Sequence, residues 1–436
     1  MSHARQVLVL ADDITGANDT AVQFARLGWS TYLALTAGGM PALDEDQVVV
    51  ARSLGTRAAD AETAANRTEA AIAEHGRARH VYLKIDSTMR GSVAGQVAGA
   101  VRARRASEPN SFVVLCPAYP AMGRTVHDGE MRVAGEPAHR GPAGRDPITP
   151  ISTSQVTALV PGSVSVSMGP DAGTLATSIG RAARTTTCVA VDAESDLELD
   201  RLAQAIVLLG ERAMAAGSAG LALALAARWA SAPDDRGSDS GAPAVSSPAV
   251  ARQTRAAELP TLVVVTSQHQ VALEQVQATL GALPPSLISS SRAAWDYVAT
   301  DDATRRWAQD LVVSTSSPIH VVLAPPLEGA HPDAASAGRV VARALAMVVD
   351  ELVSARSNDV ALVLVGGDGA SAVLDRLRAE ALHVTGALVE GVPVGTIVGG
   401  PRAGLTVVTK AGGFGDATTL TQILSKLNPT LVGADQ

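Results

Sequence analysis

Aromatic side chains are scarce in this chain of 436 residues, where three Phe, four Trp and four Tyr make up 3% of the total. So few rings exclude a base-stacking surface of the kind that holds single-stranded nucleic acid. Cysteine is nearly absent: Cys116 and Cys188 stand alone, without the CxxC or histidine spacing of a zinc site, and read as structural thiols. Positive charge is also short. The 35 Lys and Arg against 43 Asp and Glu leave a formal net charge of -8, with no dense cationic stripe, which argues against a nucleic-acid footprint. No apolar run reaches the ~20 residues of a membrane span, and the first apolar run starts too early to leave room for a signal peptide. The expectation is a cytoplasmic protein that acts on small molecules, with neither nucleic acid nor membrane as partner.

What the chain has is aliphatic bulk. Hydrophobic residues reach 47%, so the core must be built mainly from Ala, Val and Leu. The length exceeds what one core usually supports, and two domains of roughly 200 residues each are expected. The compositional break lies at Ser231 to Glu258, rich in Ser, Pro, Gly and Asp, and reads as a flexible linker between domains at 1–230 and 259–436. Short apolar runs recur at 7–10, 48–50, 81–83, 112–115 and 188–191 before it, and at 262–265, 320–323, 361–365 and 405–408 after it. Helical segments at 61–74, 270–280, 336–352 and 371–382 separate many of them. This alternation implies an α/β protein of two domains, each a mostly parallel sheet flanked by helices. Residues 124–160, rich in Gly, Pro and Arg, fit neither pattern and are expected to form a long functional loop.

Polar residues cluster where apolar runs end, which is where open α/β sheets collect ligands. Val7 to Leu10 leads into Asp12 and Asp13, carboxylates able to coordinate a metal, accept a proton, hydrogen-bond a polyol or cap the next helix. Val81 to Leu83 leads into Lys84, Asp86, Ser87, Thr88 and Arg90, an inventory suited to an anionic, hydroxylated ligand. Arg57, after Leu54-Gly55-Thr56, is a candidate for the same crevice, whereas His127 has no visible partner that would make it a base.

The second half carries phosphate-binding grammar twice. Ala361 to Val365 runs into Gly366-Gly367-Asp368-Gly369 and a helix, and Val407-Val408-Thr409 runs into Lys410-Ala411-Gly412-Gly413. Glycines let backbone N-H groups approach phosphate oxygens, and a helix N-terminus adds roughly half a positive charge. Neither loop is a Walker A, and no GxGxxG opens a helix, so ATP without a P-loop is the reading. Ser267, after Leu262 to Val265, is a third candidate donor to a phosphate.

Together the motifs resemble the four-carbon acid sugar kinase family. The resemblance rests on ADDITGAND at 11–19, KIDSTMRG at 84–91, CPAYPAMGRT at 116–125, GSAGLA at 217–222, GGDGAS at 366–371 and KAGGFGD at 410–416. It implies an ATP-dependent kinase that phosphorylates the terminal hydroxyl of D-threonate or D-erythronate, with 3-oxo-tetronate less favoured, in a crevice between the domains. By resemblance Arg57, Lys84, Asp86, Ser87, Thr88 and Arg90 hold the acid, with Asp12 or Asp13 orienting the attacking hydroxyl. Ser267, Gly366, Gly367, Asp368, Gly369, Lys410, Gly412 and Gly413 hold ATP with Mg²⁺, for which no ligand set is assigned. A homodimer is the assembly to test. The chain departs from the family pattern twice. Thr266-Ser267-Gln268-His269 replaces Gly-Ser-x-Ser, and Gly369 replaces a Thr. Two rival readings use fewer of the motifs: an NAD- or lipid-type kinase built on the GGDG loop, and a sugar-acid sensor without catalysis.

Overall fold

Aliphatic and β-branched runs bounded by Gly, Pro, Asp or Ser become strands, and the Ala-rich stretches between them become helices. The computed structural model describes residues 5–36, 47–75, 78–146, 148–231, 259–314, 317–326, 334–356 and 359–429. The expected linker, apart from Ser231, lies outside these residues. The chain divides into two compact units, Met1–Leu33 with Leu43–Pro248, and Ala34–Ala42 with Ala249–Gln436.

The first unit contains β1 (Arg5–Ala11), β2 (Ser30–Ala34), β3 (Gln47–Ser53), β4 (His80–Lys84), β5 (Phe112–Cys116), β6 (Arg124–His127), β7 (Glu130–Val133), β8 (Glu136–Pro137), β9 (Val164–Val166), β10 (Cys188–Val191) and β11 (Ala213–Gly217). Its helices are α1 (Ile14–Ala25), α2 (Ala61–Glu74), α3 (Val93–Arg105), α4 (Val156–Leu159), α5 (Ala172–Ala182), α6 (Asp196–Leu209) and α7 (Ala219–Ser231). Strands β3, β1, β4, β11, β5, β10 and β9 lie side by side in that order, all parallel, with β2 beyond β3. The carboxyl ends of β1 and β4 are therefore neighbours, with Ala11 in register with Lys84.

The GSAGLA and CPAYPAMGRT motifs interlock beside them. Ser218 Oγ donates to Ala118 O, and Tyr82 Oη donates to Ser218 O. Cys116 and Cys188 are buried and unpaired, and burial pushes each thiol up to about 12, which keeps them inert. Residues 124–160 are not one long loop. They hold the antiparallel three-stranded sheet β6-β7-β8, short 3₁₀ turns and α4, tied back by the bridge between Val126 and Ala193.

The second unit contains β12 (Thr261–Val265), β13 (Ile288–Arg292), β14 (Ile319–Leu323), β15 (Ala361–Val365), β16 (Ala381–Val389), β17 (Val392–Val398) and β18 (Thr406–Lys410). Its helices are α8 (Gln270–Ala282), α9 (Trp295–Val298), α10 (Asp301–Ser314), α11 (Ala334–Ala355), α12 (Gly367–Arg376) and α13 (Thr419–Leu427). Strands β13, β14, β12, β15 and β18 are parallel in that order, and β17 and β16 complete the sheet antiparallel. The core is aliphatic, including Val263, Val363, Val408, Ile423 and Leu424, all inaccessible to solvent. No helix among the described residues is long and apolar enough to cross a membrane.

Candidate functional site

Two clusters of polar side chains stand at the carboxyl ends of central strands, one in each unit. In the first unit, β1 delivers Asp12 and then yields to α1, whose N-cap is Asp13: its Oδ1 accepts from Gly16 N at 2.6 Å. The capping alternative therefore applies to Asp13 and not to Asp12. Asp12 is 2% exposed, and Arg57 grips it with two bonds, Nε to Oδ2 at 2.7 Å and Nη2 to Oδ1 at 3.0 Å. The same guanidinium reaches Asp13 Oδ2 at 2.6 Å and Asp86 Oδ2 at 3.6 Å. Arg57 is itself positioned by the backbone, since Thr56 N and Arg57 N both donate to Asp12 O.

The network continues through the loop after β4. Arg90 donates to Asp86 at 2.8 Å and to Asp146 at 2.7 Å, and Thr88 N donates to Asp86 Oδ1 at 2.9 Å. Lys84, 5% exposed, donates to Ile85 O at 2.9 Å. Ser87 sits half-buried in the same turn. Burial raises the Asp12 carboxyl above its ordinary value; Arg57 pulls it back, and the charge of Asp13 adds to the rise. Asp86 goes the other way. Burial pushes it up, but the Arg90 hydrogen bonds and the Arg57 and Arg90 charges outweigh burial and hold it well below the usual carboxylate range.

Beside this network lies a cleft of about 440 Å³, lined by Arg57, Asp60, Ser92, Thr149 and Ser152 among others. Asp146 and Thr149 belong to the 124–160 excursion and are bonded to each other, Thr149 N to Asp146 Oδ1 at 2.8 Å. Neither stood out in the sequence, because no apolar run or charge cluster marks them. His127 does gain a partner on folding, its Nδ1 pairing with Glu194 at 2.7 Å, but it is exposed and does not line the cleft.

In the second unit β12, β15 and β18 are adjacent, so the loops that follow them meet. Thr266 N and Ser267 N both donate to Val365 O, and Gly366 N donates to Lys410 O. Contact is close enough to need glycine. A Cβ on Gly412 would stand 1.9 Å from Ser267 Oγ, inside the contact distance of any side chain. Gly366, at φ +116°, caps α12, whose first turn holds Gly367, Asp368 and Gly369. Gly413 faces the His269 ring across the same gap. His269 caps α8, its Nδ1 accepting from Val271 N at 3.2 Å, which leaves Nε2 as the protonated nitrogen of the neutral ring.

Lys410 ends β18 at 3% exposure, and its ammonium donates to Ala411 O at 2.9 Å. Among the described residues no carboxylate forms an ion pair with it. Burial pulls its pKa down from 10.5 to about 8. A cation kept dry at the mouth of a glycine loop is a ready partner for an anion. Asp368 is exposed in the α12 first turn with no ion pair among the described residues. A carboxylate there repels a polyphosphate unless a divalent cation stands between them, and Mg²⁺ is commonly held by one or two carboxylates together with substrate phosphates. The described residues contain no group of three His, Cys, Asp or Glu that would hold a metal unaided.

Comparison with known proteins adds to this geometry. Residues 7–225 match the model of a sugar-binding N-terminal domain, and residues 262–420 match that of a nucleotide-binding C-terminal domain. A D-threonate kinase of Bordetella bronchiseptica is 36% identical over 427 residues, covering 94% of this chain and 95% of that protein. A 3-oxo-tetronate kinase of Methylobacterium radiotolerans is 29% identical and covers 94% and 96%. A crystal structure from Salmonella typhimurium LT2, described as a putative tRNA synthase, shares the fold at a TM-score of 0.75, with 19% identity over 96% of this chain and 98% of that one.

Proposed function

Because this chain belongs to the four-carbon acid sugar kinase family, a family of phosphotransferases, we propose that it moves the γ-phosphoryl group of ATP to the terminal hydroxyl of D-threonate or D-erythronate. The observation that carries the donor half is Lys410, a buried ammonium with a carbonyl partner at the meeting point of three strand-end loops. The name of the 36% identical relative favours D-threonate as acceptor, with D-erythronate next and 3-oxo-tetronate after it.

Each residue's role follows from its surroundings. Asp12 is buried on Arg57 with both oxygens engaged, so it acts as the anchor that orients the guanidinium. Asp13, whose side chain is 28% exposed, is the carboxylate an acceptor hydroxyl can reach and the one that takes its proton. Arg57 spends one edge on Asp12 and Arg90 one edge on Asp86 and another donor on Asp146; the carboxylate of the acid is shared among Arg57, Arg90, Lys84, Ser87 and Thr88, with Asp86 holding Arg90 in place. Phosphoryl transfer asks for alignment and charge stabilisation more than for covalent chemistry. Ser267, Gly366, Gly367, Gly369, Gly412 and Gly413 hold the phosphates by backbone approach, and Lys410 balances their charge. Asp368 is the residue that fits Mg²⁺, which when bound neutralises charge on the transferring group. A cytoplasmic setting, where ATP is plentiful, belongs to the same reading, and light scattering decides whether the enzyme is a homodimer.

The direct test is ADP release with D-threonate, L-threonate, D-erythronate and 3-oxo-tetronate offered in turn. Turnover of D-threonate or D-erythronate at the highest kcat/KM is expected. ATP-dependent turnover of none of the four overturns the proposal.

A further inference from the structure

Thr266 and Gly369 compete for one space. A Cβ placed on Gly369 would stand 2.0 Å from Thr266 Oγ1, 2.3 Å from its Cγ2 and 2.5 Å from its Cβ. Real Cβ atoms essentially never approach closer than 3.0 Å, and these neighbours are the stem of a β-branched side chain that cannot swing far. Position 369 can hold a side chain only if position 266 gives its own up. The same hydroxyl would lie 2.6 Å from a Cβ on Gly366. Thr266 Oγ1 therefore sits between two bare glycines at the mouth of the loop that opens α12, half-buried, and donates to Val365 O at 3.2 Å. That is a long bond for a hydroxyl, so its proton is available to a stronger acceptor arriving at the helix N-terminus.

We infer that Thr266 supplies the hydroxyl that binds phosphate in this nucleotide loop, and that positions 266 and 369 hold a single hydroxyl-bearing side chain between them. The inference rests on the proposed use of ATP. Two of the changes from the family pattern, Thr266 for Gly and Gly369 for Thr, become one exchange: a hydroxyl moved from the helix to the strand end without leaving its place. The exchange does not extend to His269, which stands where the pattern has a second Ser.

The test uses the full chain in four forms: wild type, T266V, T266S and T266G/G369T. ATP dissociation constants in Mg²⁺ are measured by calorimetry, together with KM for the sugar acid and melting temperatures. Valine keeps the shape and removes the hydroxyl, so T266V is expected to weaken ATP by about tenfold, the size of one hydrogen bond to a charged group, with the KM of the acid unchanged. T266S is expected to stay within about twofold of wild type. T266G/G369T is expected to recover most of what T266V loses, because the hydroxyl returns from the other side. A purely structural Thr266 would move the melting temperature and leave the contrast between Val and Ser flat. ATP affinity unchanged in T266V overturns the inference, as does a folded T266G/G369T no better than T266V. Wild type that binds no ATP overturns the kinase reading itself, and this inference with it.

Discussion

Arg57 faces three carboxylates, and the difference between Asp12 and Asp13 follows from how each is held. Asp12 is buried with both oxygens on the guanidinium, so D12N leaves a cation in a half-buried site with its main counter-charge gone. Breaking such a pair costs roughly 3–5 kcal/mol when one partner is deleted, and less when Asn keeps one acceptor. D12N should lose both activity and several degrees of melting temperature. Asn is as good an N-cap as Asp, and the ion pair it gives up with Arg57 is partly exposed and worth about 1 kcal/mol, so D13N should stay folded with a melting temperature lowered less than in D12N, while kcat falls about 10²- to 10⁴-fold, the usual span for a lost general base. Wild-type turnover in D13N would remove Asp13 from the chemistry. Lys410 makes a second, pH-dependent case. Its pKa is about 8 folded against 10.5 for the free side chain. Between those values the unfolded chain binds more protons, so stability rises with pH across that window, and at neutral pH the folded state bears the whole cost of the buried charge. K410M should melt a few degrees higher than wild type at pH 7, with the gain fading towards pH 10.5, and should lose ATP binding. A K410M that melts lower at pH 7 and still binds ATP would contradict both roles. These residues were legible in the sequence because each follows an apolar run directly. Asp146 was not: it reaches Arg90 from 56 positions away, and only folding brings it there.

At the level of elements, the three loops after β12, β15 and β18 work as a set because the strands are neighbours, and a glycine in one loop is chosen by a side chain in another. G412A puts a methyl group 1.9 Å from where Ser267 Oγ stands, forcing the loops apart. ATP affinity should fall at least tenfold while the KM of the sugar acid stays put, since the proposed acid site draws on the other unit's residues. Equal losses for both substrates would mean that the damage is general. The strand-to-loop grammar was readable, but the helix expected at 371–382 was misplaced. It runs from Gly367 to Arg376, begun by Gly366 at positive φ and ended by Arg378 in the left-handed region at φ 55°. The following Ala381 and Leu382, good helix formers by themselves, are drawn into β16 by pairing with Ile397 and Val398, tertiary context overriding propensity. β11, Ala213–Gly217, was missed for a related reason. Its run Ala-Met-Ala-Ala-Gly has no β-branched residue, and it becomes a strand because it lies between β4 and β5 with every residue buried.

For the molecule as a whole, the proposed chemistry divides between two units, each with its own polar cluster. The acidic network of Asp12, Asp13, Asp86 and Asp146 carries four negative charges against Arg57, Arg90 and Lys84, so the first unit's cluster is close to balanced on its own. The second unit's cluster sets Lys410 and a helix N-terminus against Asp368, so it favours a polyphosphate once a divalent cation covers that carboxylate. On the proposed assignment each ligand should slow amide exchange in its own unit. With the full chain, ATP and Mg²⁺ should protect the backbone amides of 266–269, 366–370 and 411–414, whereas D-threonate alone should protect those of 12–16, 86–92 and 148–152. Amides bonded inside strands report opening of the whole unit, so the loop amides are the ones that decide, since their partners change on binding. Protection of the first set by D-threonate alone, or of the second by ATP alone, would reassign the two sites.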